Sequence, residues 1–322
     1  MPLIDMPLSE LKEYKGRNPK PVDFDEYWDK SLEEMRSVER TVSITLAKDF
    51  TTPLANCYDL YFTGVNGARV YAKLLMPKKI EGKCPAVLHF HGYNGKSSGW
   101  FDYLPYVASG FIVAAMDCRG QSGKSVDVGG NSGITTKGHI VRGLLDEPEK
   151  LLFRDIFLDT AELADIVMSL PEVDENRVGA YGGSQGGALT IACSSLEPRI
   201  KKAAPCYPFL CDYKRVWEMD MAERAYAELK AFFRGFDPRH EREDEFFYKL
   251  GYIDLQFLAP RIKAELKMFV GLMDNVCPPS TQFAAFNKMT CKKETIIYPD
   301  FGHEGLPDCN EITYSFMMEF MK

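Results

Sequence analysis

The chain has 322 residues, of which 45% are hydrophobic and 26% are charged, and its formal net charge is -7. This is globular composition, and the chain is long enough to bury a stable core without disulfides or a structural metal. Binding to phosphates needs a basic face, so the negative charge and the lack of a Lys/Arg block argue against a nucleic-acid partner. No apolar run approaches the roughly 18 residues that a membrane span needs, so no membrane partner is expected.

Cysteine usage and the first residues point to a cellular compartment. The nine cysteines are irregularly spaced and form no CxxC pair. An odd count with such spacing favours reduced thiols over a disulfide framework or a zinc site. The first 21 residues lack the basic and apolar regions of a secretory signal peptide. We therefore expect a cytoplasmic protein, and we predict neither a metal nor another cofactor.

The first predicted elements are a helix and a hairpin. Residues 21–35 have Phe, Tyr, Trp and Leu near helical spacing, and they predict an amphipathic helix that Asp23 or Asp25 can cap. Residues 57–64 and 69–77 have the composition of strands, and the intervening VNGA is a turn signal. The pattern therefore predicts an antiparallel hairpin before the main sheet.

From residue 85 onward, short apolar runs alternate with helical patterns. Continuous apolar runs are typical of strands that are covered on both faces, as in a parallel sheet. The clearest helix is predicted over 153–170, which has a broad apolar face. Strand and helix alternation predicts a mostly parallel, doubly wound α/β sheet. The predicted strands are 85–92, 111–117, 177–183, 200–207, 266–274 and 294–300.

One region interrupts this alternation. Residues 209–260 contain no convincing strand and predict helices inserted between two strands. In an α/β sheet, such an insertion usually lies over the carboxyl ends of the strands, where ligands bind. We predict a single domain over 1–322, with 1–55 as an N-terminal extension and 209–260 as a helical insertion.

The segment YGGSQGG contains a Gly-x-Ser-x-Gly pattern at Gly182, Ser184 and Gly186. In a nucleophile elbow, the serine occupies a sharp turn between a strand and a helix, and glycines let neighbouring backbone approach closely. A strand is predicted before this segment and a helix after it, which fits the elbow. The alternative is a glycine turn in which Ser184 only caps the helix.

A serine nucleophile needs a base and an acid that orients the base. His303 lies in a predicted loop after the last strand, and Asp274 ends the preceding strand. The order Ser184, Asp274, His303 is that of α/β-hydrolases. Asp274 could instead cap a helix, and His303 could be an isolated loop histidine.

The other histidines are less informative. His89 falls in an apolar strand and His240 in a charged run interpreted as helical, and both are interpreted as structural. His139 and the loop 125–145 receive no assigned role. A tetrahedral oxyanion also needs donors, which we expect to be the backbone N–H groups of Gln185 and Tyr93. The alternative for the Tyr93 loop is an ordinary turn between a strand and a helix.

Several motifs together resemble the acetyl xylan esterase and cephalosporin C deacetylase family of carbohydrate esterases. They are HGYNG, RGQSG, GGSQGG, GLMDNVCPPST and FGHEG, and the segment MPLSELKEYKGRNPKPVDFDEYW is also similar to that family's N-terminus. The resemblance implies an α/β-hydrolase fold and a serine esterase that removes acetyl groups from short xylo-oligosaccharides and from cephalosporin C. It also implies a cytoplasmic homohexamer with active sites facing its interior.

The same resemblance implies roles for individual residues. Ser184 becomes the nucleophile, His303 the base and Asp274 its partner, with Tyr93 and Gln185 as the oxyanion donors. Arg119 and Gln121 of RGQ support the site, and for Arg119 we favour a buried salt bridge.

Two other classes of protein are compatible with the same residues. The same triad could serve a peptidase or a dienelactone-type hydrolase, and a hydrolase scaffold could also carry a non-enzymatic binding protein. If the chain is an esterase, we expect the slot that binds the acyl group to be short, because the Tyr93 ring and the bulky Gln185 side chain narrow it.

Overall fold

The computed structural model describes residues 4–128, 130 and 137–322, and within them nine strands form one sheet. The order across the sheet is β1-β2-β3-β5-β4-β6-β7-β8-β9. Neighbours from β5 to β9 pair in parallel, whereas β1, β2 and β3 add an antiparallel edge. The strands are β1 (Val42–Leu46), β2 (Ala55–Thr63), β3 (Arg69–Pro77), β4 (Cys84–Phe90), β5 (Ile112–Asp117), β6 (Val173–Gly183), β7 (Lys202–Cys206), β8 (Glu265–Gly271) and β9 (Lys293–Tyr298).

Helices cover both faces of this sheet, and each face has its own buried apolar cluster. Helices α2, α4 and α5 pack on one face, and α3 and α11 pack on the other. The helices are α1 (Leu8–Leu11), α2 (Phe24–Ser37), α3 (Leu104–Ala108), α4 (Leu152–Ser169), α5 (Gln185–Leu196), α6 (Tyr213–Glu218), α7 (Ala227–Phe236), α8 (Glu243–Leu250), α9 (Leu255–Leu258), α10 (Pro279–Lys288) and α11 (Cys309–Met318).

The predicted mostly parallel, doubly wound architecture is confirmed. The hairpin is confirmed as β2 and β3, and the predicted helix over 153–170 is confirmed as α4. Sequence reasoning missed β1, which pairs antiparallel with β2 at the edge of the sheet. Its alternating Val42, Ile44 and Leu46 carry a strand signal, but Ser43 and Thr45 interrupt the continuous apolar run that predicts a strand covered on both faces. All five residues of β1 are exposed in the structure.

Two local predictions are wrong. Asp23 directly precedes α2 but does not cap it; its carboxylate instead accepts a hydrogen bond from the Tyr252 hydroxyl at 2.5 Å. His240 lies outside the helices, in the turn between α7 and α8, with φ at 56°. Its Nδ1 is 3.2 Å from Glu243, so a local surface contact fixes the turn.

The inserted segment 209–260 contains α6 to α9, as predicted, and the N-terminal segment is fastened to it. The buried Asp212 carboxylate accepts the backbone N–H groups of Arg17 and Asn18 at 2.8–3.1 Å. The division into one domain with an extension and an insertion stays a prediction. Across the described ranges, none of the helices has both the length and the apolar character to cross a bilayer.

Candidate active site

Ser184 occupies a strained turn between the end of β6 and the start of α5. Its backbone has φ 57° and ψ -117°, a region that residues other than glycine rarely adopt. A Cβ on Gly186 would lie 2.0 Å from the carbonyl oxygen of Phe90, and one on Gly182 would lie 2.5 Å from it. Both glycines are therefore required by close backbone approach, as the elbow pattern predicts. The Ser184 side chain makes no cap hydrogen bond to α5.

The Ser184 hydroxyl instead meets His303. Ser184 Oγ is 2.9 Å from His303 Nε2, and His303 Nδ1 is 2.8 Å from Asp274 Oδ2. The other oxygen of the buried Asp274 accepts the N–H groups of Val276 and Cys277, each at 2.8 Å. Both carboxylate oxygens are thus oriented, and the structure brings together the three side chains that the sequence predicted.

The strands explain how residues 119 positions apart meet. Ser184, Asp274 and His303 follow β6, β8 and β9, whose carboxyl ends lie at one edge of the parallel sheet. Asp274 lies three residues beyond the end of β8, in the loop before α10, rather than at the end of the strand as predicted.

The predicted oxyanion donors lie beside this triad. Gln185 is the first residue of α5, and backbone N–H groups in the first turn of a helix have no partner within the helix. Its fully buried side chain forms a reciprocal amide pair with Gln121, with N···O distances of 2.8 and 3.1 Å. The Gln185 side chain therefore lies beneath the site and does not narrow the acyl slot, contrary to the expectation from sequence.

Tyr93, the second predicted donor, is held by contacts that sequence reasoning did not find. Its hydroxyl donates to the buried Glu228 of α7, whose other oxygen accepts the N–H of Ile140 at 2.8 Å. Burial raises the pKa of Glu228. The Tyr93 ring also packs edge-on against Phe209 and His139, with centroids 5.5 and 5.2 Å away. His139, previously without a role, thus belongs to the wall around Tyr93.

His91 fixes the base of the Tyr93 loop and was also missed. Its Nε2 accepts the N–H of Cys118 at 3.0 Å, so its Nδ1 carries the proton and donates to Gly92 O at 2.8 Å. Burial lowers the pKa of His91, which keeps the ring neutral and this tautomer available. The available signal was its place in HFHG, directly after the apolar run of β4, because residues at the carboxyl ends of parallel strands lie where ligands bind.

Arg119 forms the buried ion pair that we favoured from sequence. Its guanidinium makes a bidentate contact with Asp159 of α4, at 2.8 and 2.6 Å, and donates to Val65 O at 3.1 Å. These contacts anchor the loop that carries Gln121. The role of Arg119 in supporting the site stays a prediction.

A cavity of about 400 Å³ opens over Ser184 and His303. The inserted segment supplies one wall of this cavity through Arg224, Ala225 and Glu228, as expected for an insertion near the strand ends. The cavity is lined by Tyr93, Asn94, Lys137, Ser184, Arg224, Ala225, Glu228, Val276 and His303. Part of the loop 125–145, at 129 and 131–136, lies outside the described residues.

Among the described residues, one group of three side chains has spacing suitable for metal ligands. Donor atoms of Asp274, Cys277 and His303 lie within 4.8 Å of one another. Burial raises the pKa of the Cys277 thiol well above its usual value, so the thiol stays protonated and is a poor ligand. Asp274 and His303 are already hydrogen-bonded to each other. Metal independence stays a prediction.

The sheet, the elbow and the Ser–His–Asp geometry define a protein of the α/β-hydrolase fold. The family model described as acetyl xylan esterase (AXE1) matches residues 1–320, and the chain belongs to that family. The sequence resemblance is thereby confirmed.

Solved structures of two acetyl xylan esterases are close to this chain. Acetyl xylan esterase 1 from Thermoanaerobacterium sp. JW/SL YS485 is 57% identical, with a TM-score of 0.95 over 99% of this chain and 100% of that one. The enzyme from Paenibacillus sp. R4 is 35% identical, with a TM-score of 0.91 over 98% and 99%.

A curated relative is similar over most of this chain. It is an acetyl esterase, Axe7A, of Xylanibacter ruminicola, 30% identical over 296 residues, which are 90% of this chain. The match spans 65% of that relative's own length. Two further curated relatives, a hydrolase from Bacillus subtilis and a mouse S-formylglutathione hydrolase, match about half of their lengths, 51% and 54%.

Proposed function

We propose that this protein is a serine carboxylesterase that removes acetyl groups from short xylo-oligosaccharides and other small acetylated compounds, including cephalosporin C. The observation that carries the proposal is the pair of contacts from Ser184 Oγ to His303 Nε2 at 2.9 Å and from His303 Nδ1 to Asp274 Oδ2 at 2.8 Å. Membership of the acetyl xylan esterase family supports the choice of an acetyl ester.

The proposed reaction follows from the hydrogen-bond directions. Because Asp274 accepts the Nδ1 proton of His303, the lone pair of Nε2 faces the Ser184 hydroxyl and can take its proton. Ser184 Oγ then attacks the ester carbonyl, and the N–H groups of Gln185 and Tyr93 stabilise the oxyanion. His303 returns the proton to the departing sugar oxygen, leaving an acetyl group on Ser184. A water molecule, activated by His303, releases acetate in the second half of the cycle.

The test is to replace Ser184 by Ala. Loss of the nucleophile should lower kcat by several orders of magnitude, about 10⁶-fold on the scale measured when a serine-protease triad is broken. The matched control is Ser194→Ala in α5, the helix that follows Ser184, because that buried hydroxyl donates to Thr190 O at 2.8 Å within the helix. The control should keep wild-type activity on acetylated xylobiose. A folded Ser184→Ala protein with more than about a tenth of the activity would contradict the mechanism.

The class of substrate is tested separately, by comparing the turnover of different compounds. Acetylated xylobiose, cephalosporin C and an aminoacyl anilide should be compared with purified wild-type protein. Faster turnover of the anilide would replace the esterase proposal by a peptidase. Activity that falls on dialysis against EDTA and returns with zinc would contradict the metal-free mechanism.

A further inference from the structure

A second cavity, of about 750 Å³, lies on the sheet face that α3 and α11 cover. Side chains alternate along a strand, so His89 of β4 points to this face whereas Leu88 and Phe90 pack in the opposite core. Tyr181 of β6 points the same way. This aromatic cavity shares no lining residue with the cavity over Ser184. Its size is within the range of small-molecule sites.

Aromatic rings form a continuous wall of the aromatic cavity. The His89 ring lies 5.4 Å from Tyr103 and 4.9 Å from Tyr181, measured between centroids. Tyr106 continues the series, with centroids 5.3 Å from Tyr181 and 5.2 Å from Tyr314. Flat, rigid rings of this kind offer apolar faces against which the C–H face of a pyranose ring can pack.

The floor of the cavity also offers hydrogen-bonding groups. The Tyr103 hydroxyl accepts the Ser98 N–H at 2.9 Å, so its own proton points to His89 Nδ1 at 3.0 Å. Burial lowers the pKa of His89 to about 3, so the ring is neutral and its proton is on Nε2. Among the hydrogen bonds of the described residues, none engages His89 Nε2 or the Tyr181 hydroxyl. Both groups therefore have hydrogen-bonding capacity left for a ligand.

The mouth of the cavity is acidic. Asp102 and Glu311 are exposed there, and the described lining contains neither lysine nor arginine. Two carboxylates repel an anionic ligand and accept hydrogen bonds from hydroxyl groups. Aromatic walls, neutral donors and acidic acceptors together fit a neutral, polyhydroxylated ring.

We propose that the aromatic cavity is a second carbohydrate site, which binds a short unacetylated xylo-oligosaccharide without hydrolysing it. The choice of xylose units rests on the proposed function, whereas the size and chemistry of the cavity do not. Such a site would hold a sugar chain on the enzyme away from Ser184.

The experiment titrates xylobiose into the full chain by calorimetry and saturation-transfer NMR. Xylobiose carries no ester, so the readout is independent of hydrolysis, and acetylated xylobiose turnover is assayed separately on the same proteins. Tyr181→Phe removes one hydroxyl from the cavity and should raise Kd by about two- to tenfold, the effect of one hydrogen bond. Ser315→Trp at the exposed rim should abolish detectable binding. Tyr58→Phe on β2, outside both cavities, should leave Kd unchanged.

A blocking variant separates the two cavities. Ala225→Trp fills the cavity over Ser184 and should leave xylobiose binding in place while reducing ester turnover. Absence of binding to wild-type protein at tens of millimolar xylobiose would overturn the proposal. Binding that disappears in Ala225→Trp alone would assign the sugar to the active site and also overturn it. Tetramethylammonium is titrated into the same variants as a probe for a cation site. If it binds and its Kd changes in Tyr181→Phe and Ser315→Trp, while xylobiose does not bind, the cavity is a cation site and the carbohydrate proposal is wrong.

Discussion

Gln121 is a positioning residue whose effect passes through Gln185. The amide pair between them holds the first residue of α5, whose N–H is the proposed oxyanion donor. Gln121→Ala leaves a buried amide without its best partner and lets that donor shift. We expect kcat on an acetyl ester to fall by about tenfold, with KM little changed, because the donor acts mainly in the transition state.

The control for this variant is Asn287→Ala. The Asn287 amide donates to Leu11 O and Tyr14 O at 2.8 and 2.9 Å, away from the site. Its loss should lower the melting temperature and leave kcat unchanged. A Gln121→Ala protein that loses stability but keeps kcat would show that the pair is structural only.

Tyr93 also sets an expectation for the acyl group. Its ring cannot move aside easily, because Glu228 holds the hydroxyl and Phe209 packs against the ring. An open apolar slot would gain about 0.8 kcal/mol for each added CH₂, whereas overpacking in a closed slot costs about 1–3 kcal/mol. We expect kcat/KM for p-nitrophenyl acetate to exceed that for the butyrate by roughly tenfold or more.

The measurement compares the acetate, butyrate and octanoate esters under one condition. Tyr93→Ala should open the acyl slot and thereby reduce the ratio of kcat/KM for the acetate to kcat/KM for the butyrate. Equal turnover of acetate and octanoate by the wild-type protein would contradict a short acyl slot.

At the scale of elements, the turn between β6 and α5 depends on the close approach of its glycines to the backbone of β4. A Cβ at Gly186 would meet Phe90 O at 2.0 Å, so Gly186→Ala must separate α5 from β4. We expect a loss of about 3 kcal/mol or more in the free energy of unfolding, together with loss of activity. Gly235→Ala in α7 is the matched control, because nothing lies within 4 Å of its Cβ position.

That control should stabilise the protein by about 0.5–1 kcal/mol, since glycine is unfavourable within a helix. Denaturant unfolding of both variants is the measurement. Equal stability of the two variants would show that the sheet and helix adjust without cost.

The side chain of Asp254 caps the N-terminus of α9, and its ionisation makes the free energy of unfolding depend on pH. Burial and the nearby Asp212 raise the pKa of Asp254 to about 7, with Lys288 as the facing cation. A carboxyl whose pKa is raised on folding binds more protons in the folded state. Stability is therefore fully present below the pKa of the unfolded carboxyl, near 4, and falls as the pH rises towards 7.

Asp254→Asn removes this titration and keeps an oxygen for the N–H groups of Asp212 and Gln256. Relative to wild type, the variant should gain stability from pH 4 to pH 7, by at most about 1.4 kcal/mol per pH unit. Denaturant midpoints across that range are the measurement. A difference that is constant with pH would contradict the raised pKa.

At the scale of the whole molecule, the homohexamer implied by the resemblance stays a prediction. The edge strand β1 exposes a row of apolar side chains, Val42, Ile44 and Leu46, with exposures of 39%, 38% and 62%. Native proteins usually protect or cover such an edge, which gives assembly a physical reason. Multi-angle light scattering should give the mass of six chains, whereas the mass of a single chain would contradict the prediction.

The sequence by itself determined the parts of this protein that depend on local chemistry. Apolar runs predict covered strands because both faces of a parallel strand are buried, and the Ser184 elbow is readable because only glycine permits its backbone contacts. The order of Ser184, Asp274 and His303 at three strand ends then predicts their meeting, since parallel strands bring their carboxyl ends to one edge.

The tertiary structure alone decided which side chains meet where no sequence motif marks the contact. The contact of Tyr93 with Glu228 joins residues 135 positions apart and depends on how the helical insertion folds back over the sheet. The direction of the Gln185 side chain could not be predicted either, because its partner Gln121 lies in the loop after β5, 64 positions away. The aromatic cavity arises where two strands and two helices leave space between them. Packing of this kind is set by the whole fold, so no short stretch of sequence contains it.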